Sequence, residues 1–342
     1  MRRFLFLIVV LGAVIGGAWV WEQWNFAQPG PAAQQTVVLI PPGQGVTSIS
    51  QSLAKAGVVA NADLFRLGVR LRGQQSALKA GEYAFPAHAS MADAMGILIA
   101  GKSIEHKLTA AEGLTSKMIY DLVVRDPVLV GGAGPVPPEG SLLPETYLFI
   151  RGTTRAELLT RMHEAQMRLL AKLWPARADG LPYATEAQAL TVASIVEKET
   201  ALPGERPHVA AVFANRLKMG MKLQSDPTII YGLTKGYPLG RGIRESELQG
   251  ATPYNTYVID GLPPTPICNP GKDSIAAVLH PAPSGDLYFV ADGTGGHVFS
   301  ATIAEQQKNV AKWRKVEQAN APPPKPEPPP KHGKLPKRHR RG

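Results

Sequence analysis

The stretch TVVLIPPGQGVTSISQSLAKAG, residues 36–57, combines the signals that decide the fold class of this chain. A β-branched run predicts a strand, a Pro-Pro-Gly turn follows it, and an apolar helix begins behind a Thr-Ser pair. The same order recurs in residues 79–101 and 106–123. The N-cap candidates of the three helices are Thr47 or Ser48, Ser90, and Thr115. Short strands that each lead into a helix predict an α+β fold.

The remaining sequence is mostly helical until residue 221 and turn-rich after it. Helical periodicity predicts one helix over residues 154–174 and two within residues 183–220, separated at Leu202-Pro203-Gly204. Beyond Met221, segments rich in Pro, Gly, Asn and Asp predict loops. Residues 287–291 and 297–300 then predict paired strands, and residues 302–316 a closing helix.

The N-terminus predicts a membrane anchor. Residues 4–21 are eighteen apolar residues without a charge, enough for a helix of about 27 Å, close to the hydrocarbon thickness of a bilayer. Arg2 and Arg3 precede this segment and three tryptophans lie near its far end, which favours a cytoplasmic N-terminus. The alternative is a cleaved signal peptide, whose apolar core is usually shorter and is followed by an A-x-A site that this sequence lacks.

The charge of the chain is concentrated at its C-terminus. Of the net charge of +10 over 342 residues, +6 comes from residues 321–342, which contain eight prolines. The high isoelectric point therefore reflects a disordered, basic, Pro-rich tail, which we predict for residues 317–342. It does not indicate that the body of the protein binds nucleic acid. We interpret the tail as solvated, with an electrostatic arm for anionic lipid or wall polymer as the alternative. A single cysteine excludes a disulfide framework, and no motif predicts a metal or cofactor.

The richest candidate for chemistry is EAQALTVASIVEKET, residues 186–200. On a helical wheel, Glu199 falls within about 20° of the apolar Val192, whereas Glu197 falls about 140° away. A carboxyl group among apolar neighbours has a raised pKa, as a general acid at neutral pH requires. The alternative is that Glu199 turns outward or pairs with Arg206 or Arg216.

The turn-rich region after residue 221 gathers hydrogen-bonding side chains and aromatic rings, a mixture that suits sugars. The candidate substrate-binding residues are Gln224, Asp226, Thr228, Tyr254, Asn255 and Tyr257. The alternative is ordinary turn chemistry, in which Asp226 only caps the following segment.

Segments spread along the chain resemble the YceG-like family of endolytic murein transglycosylases. The matching segments include IPPGQGV (40–46), LKAGEYAF (78–85), EGSLLPETYLF (139–149), ASIVEKET (193–200), VFANRLKMGMKLQSDPTIIYG (212–232), TPYNTY (252–257) and YFVADGTGGHVFS (288–300). Each alone is weakly specific, but together they extend from the anchor to about residue 316.

The resemblance implies a domain organisation. It assigns residues 1–3 to a cytoplasmic end, 4–21 to the transmembrane helix, 22–35 to a linker, 36–110 to a small LysM-like strand–helix module and 111–316 to a mixed α/β catalytic domain. It also implies a single-pass protein of the cell inner membrane whose catalytic domain lies outside the cytoplasm, with peptidoglycan glycan strands as substrate and peptidoglycan synthases as candidate partners.

The resemblance also implies a reaction. The second glutamate of the family's E-K-E motif, here Glu199, is the catalytic acid, and it cleaves MurNAc–GlcNAc bonds of nascent strands to leave 1,6-anhydro-MurNAc ends without a metal or cofactor. Such cleavage would end strand elongation. The alternatives are a non-catalytic, membrane-anchored peptidoglycan-binding scaffold, and a hydrolytic muramidase with reducing-end products.

Overall fold

The computed structural model describes residues 2–320, in which three hydrophobic cores follow an N-terminal helix. The elements up to residue 100 are α1 (Arg2–Ala27), β1 (Thr36–Ile40), α2 (Val46–Lys55), α3 (Ala62–Leu71), β2 (Gly81–Phe85) and α4 (Met91–Ala100). The next four are β3 (Glu105–Thr109), α5 (Ser116–Arg125), β4 (Thr146–Ile150) and α6 (Arg155–Leu173). The last eight are α7 (Glu186–Glu199), α8 (Arg206–Lys218), α9 (Asp226–Thr234), α10 (Glu245–Leu248), α11 (Lys272–Leu279), β5 (Tyr288–Ala291), β6 (His297–Ser300) and α12 (Ile303–Asn320). The α+β prediction is confirmed at this level.

The first core lies between a two-stranded sheet and helices α2 to α4. β1 pairs antiparallel with β2, Thr36 facing Phe85, and Leu53, Phe65 and Leu98 are fully buried between them and the helices. The predicted cap at Ser90 is confirmed as a capping box with Asp93. The predicted cap at Thr47 or Ser48 is wrong, because α2 begins earlier, behind Gly45.

The second core contains strands from distant parts of the sequence. β3 pairs antiparallel with β4, Glu105 facing Ile150, across α5 and the Pro/Gly-rich segment between them. Leu108 on β3 packs with the buried residues of α5 and α6. The pairing of β3 therefore groups this strand with the second core. The domain boundary at residue 110 stays a prediction.

The third core is built around α7, which packs against α8, α9 and α11. The antiparallel β5–β6 hairpin, with Tyr288 facing Ser300, lies against α12. The predicted helix pair and hairpin are confirmed. The prediction of loops beyond residue 221 is wrong for α9 and α11. The starts of these helices contain Pro, Asp and Gly residues, which are also typical of turns. The tail predicted from residue 317 overlaps α12 by four residues, and its remainder lies outside the described residues.

Helix α1 is long and apolar enough to cross a membrane, with a mean hydropathy of 2.4 over its most apolar window. It continues to Ala27, so the linker predicted from residue 22 is helical at its start. This end is docked on α3. Arg72 donates to the carboxylate of Glu22 at 2.7 Å and lies over the ring of Phe26, which is itself fully buried. The C-terminal end of α1 is thus part of the first core.

Replacing Arg72 with Met is expected to release the docked end of α1, because the Glu22 carboxylate, 3% exposed, would lose its counter-charge. Breaking a buried ion pair from one side costs about 3–5 kcal/mol. The matched control is Arg66→Met on the same helix, where Arg66 pairs with the exposed Asp63 and the loss should be at most about 1 kcal/mol. Thermal unfolding in detergent and proteolysis of residues 28–35 measure both. If Arg72→Met and Arg66→Met lost equally little stability, the docking of α1 on α3 would be contradicted.

Candidate active site

Glu199 is the last residue of α7, at the end of a run in which residues 189–196 are all buried. The middle of the helix is therefore enclosed on every side, whereas the helical wheel predicts a single apolar face. Thr200 ends the helix with extended backbone, which leaves the Glu199 side chain at the surface of the third core. The side chain is half-buried.

The surroundings of Glu199 favour its protonated form. Burial raises the pKa of Glu199 to about 7, and the charge of Asp226 adds to the rise. A hydrogen bond from Ser225 and the positive charges of His297 and Arg216 act in the opposite direction, but they are outweighed. Within residues 2–320, no salt bridge reaches Glu199. This carboxyl can therefore hold a proton near neutral pH and release it to a bound molecule.

Glu197, unlike Glu199, is held in an ion pair inside the protein. The helical wheel placed it away from the apolar face, but its side chain is nevertheless buried. Its side chain is only 5% exposed, and one oxygen lies 3.3 Å from Arg206. The other oxygen accepts the backbone N–H of Gly271 at 2.9 Å. Glu112 shares the same guanidinium. Glu197 is therefore a structural ion-pair residue, and Arg206 is the partner of Glu197 and not of Glu199.

Arg216 does not pair with Glu199 either. Arg216 is 7% exposed, and its guanidinium donates to the backbone carbonyls of Leu287 at 2.6 Å and Leu223 at 2.7 Å. These bonds tie α8 to the strand entering the hairpin and to the segment before α9. The positive charge is thus held near the Glu199 carboxyl by backbone contacts, without neutralising it.

The start of α9 lies against Glu199. Ser225, which is 1% exposed, donates its hydroxyl to Glu199 Oε1. The neighbouring Asp226 is exposed, and its Oδ1 accepts the hydroxyl of Tyr257 at 2.6 Å. Of the predicted substrate-binding residues, Asp226 and Tyr257 are therefore brought together beside the candidate acid. Ser225 was not among those predictions, although it lies between two of them in the sequence.

Thr228 and Asn255, also predicted as substrate-binding residues, are buried and are not brought to the surface beside Glu199. Thr228 is 0% exposed and donates its hydroxyl to the carbonyl of Ser225 at 2.6 Å. Asn255 is 1% exposed and its amide donates to the carbonyls of Glu247, Leu248 and Gly250. Both side chains use their hydrogen-bonding capacity inside the protein. They hold the loops that carry the surface residues.

Gln224 and Tyr254 occupy different surroundings. Gln224 is exposed at a positive φ of 54° immediately before Ser225, and its Oε1 accepts a hydrogen bond from Arg216 Nη1 at 3.4 Å. Tyr254 is half-buried on the side of α9 that carries Tyr231. Its ring is tilted against that of Tyr231 with the centroids 4.8 Å apart, and its hydroxyl is hydrogen-bonded to Thr265. The structure groups Gln224 with Asp226 and Tyr257, while Tyr254 belongs to a neighbouring aromatic pair.

Two further features border the candidate site. His297 on β6 is fixed by Glu205, which accepts both its backbone N–H and its ring Nδ1. A cavity of about 210 Å³ adjoins the same end of α7, with Lys198, Pro227 and Tyr231 in its lining. Within residues 2–320, no group of three or more His, Cys, Asp and Glu side chains is arranged to hold a metal ion.

Comparison with known proteins places this chain among characterised sequences. The sequence model of the YceG-like family matches residues 38–312. An endolytic murein transglycosylase of Bacillus subtilis is 35% identical over 177 residues, which cover 52% of this chain and 48% of the relative. One from Streptococcus pneumoniae serotype 2 is 31% identical over 321 residues, covering 80% of this chain and 57% of the relative. The chain thus spans about half the length of these curated relatives.

A solved structure supports the same grouping. The 2.6 Å crystal structure of a yceG-like protein from Listeria monocytogenes matches with a TM-score of 0.50 and 31% sequence identity. The match covers 81% of this chain and 99% of the crystallised chain. Since the family model alone covers well over half of the sequence, the chain belongs to the YceG-like family.

Proposed function

We propose that this protein is a membrane-anchored endolytic lytic transglycosylase that cleaves MurNAc–GlcNAc bonds of peptidoglycan strands and leaves 1,6-anhydro-MurNAc ends. The observation that carries the proposal is Glu199, a carboxyl group with a pKa of about 7 beside exposed polar side chains. The names of the curated relatives support the choice of substrate and reaction.

The proposed reaction needs one carboxyl group acting twice. Protonated Glu199 donates to the glycosidic oxygen as the bond from that oxygen to the muramoyl C1 breaks. The resulting carboxylate then takes the proton of the muramoyl C6 hydroxyl, whose oxygen bonds to C1 and closes the anhydro ring. Glu199 ends protonated, as it began. Because the substrate supplies its own nucleophile, the second carboxylate of ordinary glycosidases is not needed.

The surface around Glu199 would bind and orient the glycan. General acid catalysis supplies about 10²–10⁴-fold, so substrate binding and distortion must supply the rest. Gln224, Asp226 and Tyr257 are the proposed hydroxyl-binding residues, since their polar groups lie at the surface next to Ser225. Tyr254, which contacts Tyr231, and the cavity beside Lys198 would extend this binding surface. Thr228 and Asn255 would act only by positioning these residues.

The proposed domain arrangement follows the three cores. A LysM-like module would comprise the first core and end before β3, and the catalytic domain would comprise the second and third cores up to residue 316. Helix α1 would anchor the protein in the inner membrane, with Arg2 and Arg3 on the cytoplasmic side. The body would then face nascent glycan strands, and peptidoglycan synthases would be its partners in ending strand elongation.

Product analysis tests the proposed function. The full-length protein in detergent is incubated with purified glycan strands, and the products are separated and identified by mass spectrometry. We expect internal cleavage with 1,6-anhydro-MurNAc ends. Reducing ends would identify a muramidase, and binding without cleavage would identify a scaffold, so either result would overturn the proposal.

A further inference from the structure

Ser225 occupies an unusual position for a helix N-cap. It precedes α9 and has the extended backbone of an N-cap, yet its side chain makes no capping hydrogen bond to that helix. Its hydroxyl instead points across to α7 and lies 2.5 Å from Glu199 Oε1. A serine at an N-cap position ordinarily accepts a hydrogen bond from a free backbone N–H of its own helix. The Ser225 hydroxyl is instead hydrogen-bonded to Glu199.

The direction of this hydrogen bond follows from the burial of Ser225. The residue is 1% exposed, and Glu199 is its hydroxyl's partner within the part of the chain that the structure describes. If Glu199 Oε1 carried the proton and donated it, the serine's own hydrogen would be buried without an acceptor, which is costly. Ser225 therefore donates and Glu199 Oε1 accepts.

The backbone of Ser225 is fixed from two sides. Its N–H donates to the hydroxyl of Thr256 at 2.9 Å, and its carbonyl accepts the hydroxyl of Thr228 at 2.6 Å. The two threonine hydroxyls lie 2.9 Å apart. Because the single hydrogen of Thr228 goes to Ser225, Thr256 donates to Thr228. This closed set of hydrogen bonds uses the polar groups of the buried Thr228 and Thr256, and it fixes the backbone from which the Ser225 side chain extends toward Glu199.

We infer that Ser225 is a positioning residue for the reaction proposed above: by donating to Glu199 Oε1 it confines the acid's proton to Oε2, the oxygen left free for the glycosidic bond. In a neutral carboxyl group the oxygen that accepts a strong hydrogen bond is the carbonyl oxygen, so the hydroxyl must be the other one. The same bond keeps Oε2 in place when the carboxylate takes the proton back. The inference rests on the proposed function.

The test compares the pH dependence of kcat in wild type, Ser225→Ala and Ser225→Thr. Loss of the donor is expected to lower kcat at neutral pH about 10- to 100-fold with KM changed less than threefold. Because the hydrogen bond from Ser225 lowers the pKa of Glu199, its loss should also raise that pKa and shift the alkaline limb of the profile to higher pH. Activity should thus fall while the protonated fraction of Glu199 rises. The threonine variant, which keeps the hydroxyl, should recover most of the activity.

Ser90→Ala is the matched control, because Ser90 is an N-cap serine that does bond to its own helix. It should lower the melting temperature without changing the pH profile. A ¹³C-carboxyl NMR titration of Glu199 gives a readout that is independent of turnover. Unchanged kcat and an unchanged Glu199 pKa in Ser225→Ala, with wild type still producing anhydro ends, would overturn the inference alone. Absence of anhydro ends in wild type would instead overturn the proposed function.

Discussion

Glu199→Gln is expected to reduce formation of 1,6-anhydro ends by at least about 10²–10⁴-fold while the protein stays folded. Glutamine has nearly the shape of a protonated glutamate, and its amide oxygen can accept the Ser225 hydroxyl in place of Oε1. Its amide N–H groups are too weakly acidic to protonate the glycosidic oxygen, and the neutral amide cannot act as the base. Mass spectrometry of digested glycan strands, with thermal unfolding of the same preparations, measures both parts of the prediction.

Glu197→Gln provides the matched control, two residues away on the same helix. This change removes the charge that pairs with Arg206 and weakens the acceptor of the Gly271 N–H. It should lower stability, since a buried arginine is left short of one counter-charge, while the folded fraction continues to make anhydro ends. The assignment of Glu199 would be contradicted if its glutamine variant kept full activity, or if the two variants lost activity to the same extent.

The same Glu199 variant is expected to be more stable than wild type at alkaline pH. The pKa of Glu199 rises from an ordinary 4.5 to about 7 on folding, so folding favours its neutral form. Below pH 4.5 the carboxyl is protonated in both states and wild type incurs no penalty. As pH rises toward 7 the unfolded state releases its proton first, and above pH 7 the penalty is complete. For this half-buried side chain we expect about 2 kcal/mol.

Denaturant unfolding of both proteins between pH 4 and pH 9 measures this difference. Glu247→Gln supplies a control of opposite sign, because Arg241 and the Arg244 N–H lower the pKa of Glu247 to about 2. The ionised Glu247 carboxylate stabilises the folded state at pH values above the pKa of this group in the unfolded chain, and the stabilisation is lost as the pH falls toward 2. Glu247→Gln should therefore be less stable than wild type at neutral pH. A stability difference for Glu199→Gln that does not change with pH would contradict the raised pKa.

Local signals predicted much of the fold correctly. The caps at Ser90 and Thr115, the break between α7 and α8, and the terminal hairpin all follow from short-range patterns. The pairing of β3 with β4 could not be predicted in this way, because it joins strands about forty residues apart through contacts no local pattern encodes. Helices α9 and α11 were missed for another reason. The residues favoured at helix starts, including Asp226 and Gly271, are also favoured in turns.

The candidate site was predicted in outline from residue types and spacing. The wheel selected Glu199, yet it assigned Glu197 to a less enclosed position than the structure gives it, since it could not include the Arg206 ion pair. Thr228 and Asn255 were grouped with the surface residues because a single sequence does not reveal which side of a short helix or loop is buried. Ser225 could have been selected as a hydroxyl next to Asp226, but its direction depends on how α9 packs against α7.

The proposed reaction requires that Glu199 can hold a proton near neutral pH in the folded protein, where it has no salt-bridge partner in residues 2–320. A titration of ¹³C-labelled glutamate carboxyl groups by NMR measures this directly, with the Glu199 resonance identified by its absence in Glu199→Gln. We predict a midpoint near pH 7, as burial requires. A midpoint near 4.5, the ordinary value for glutamate, would show a solvated carboxylate and contradict the proposed role of Glu199 as the general acid.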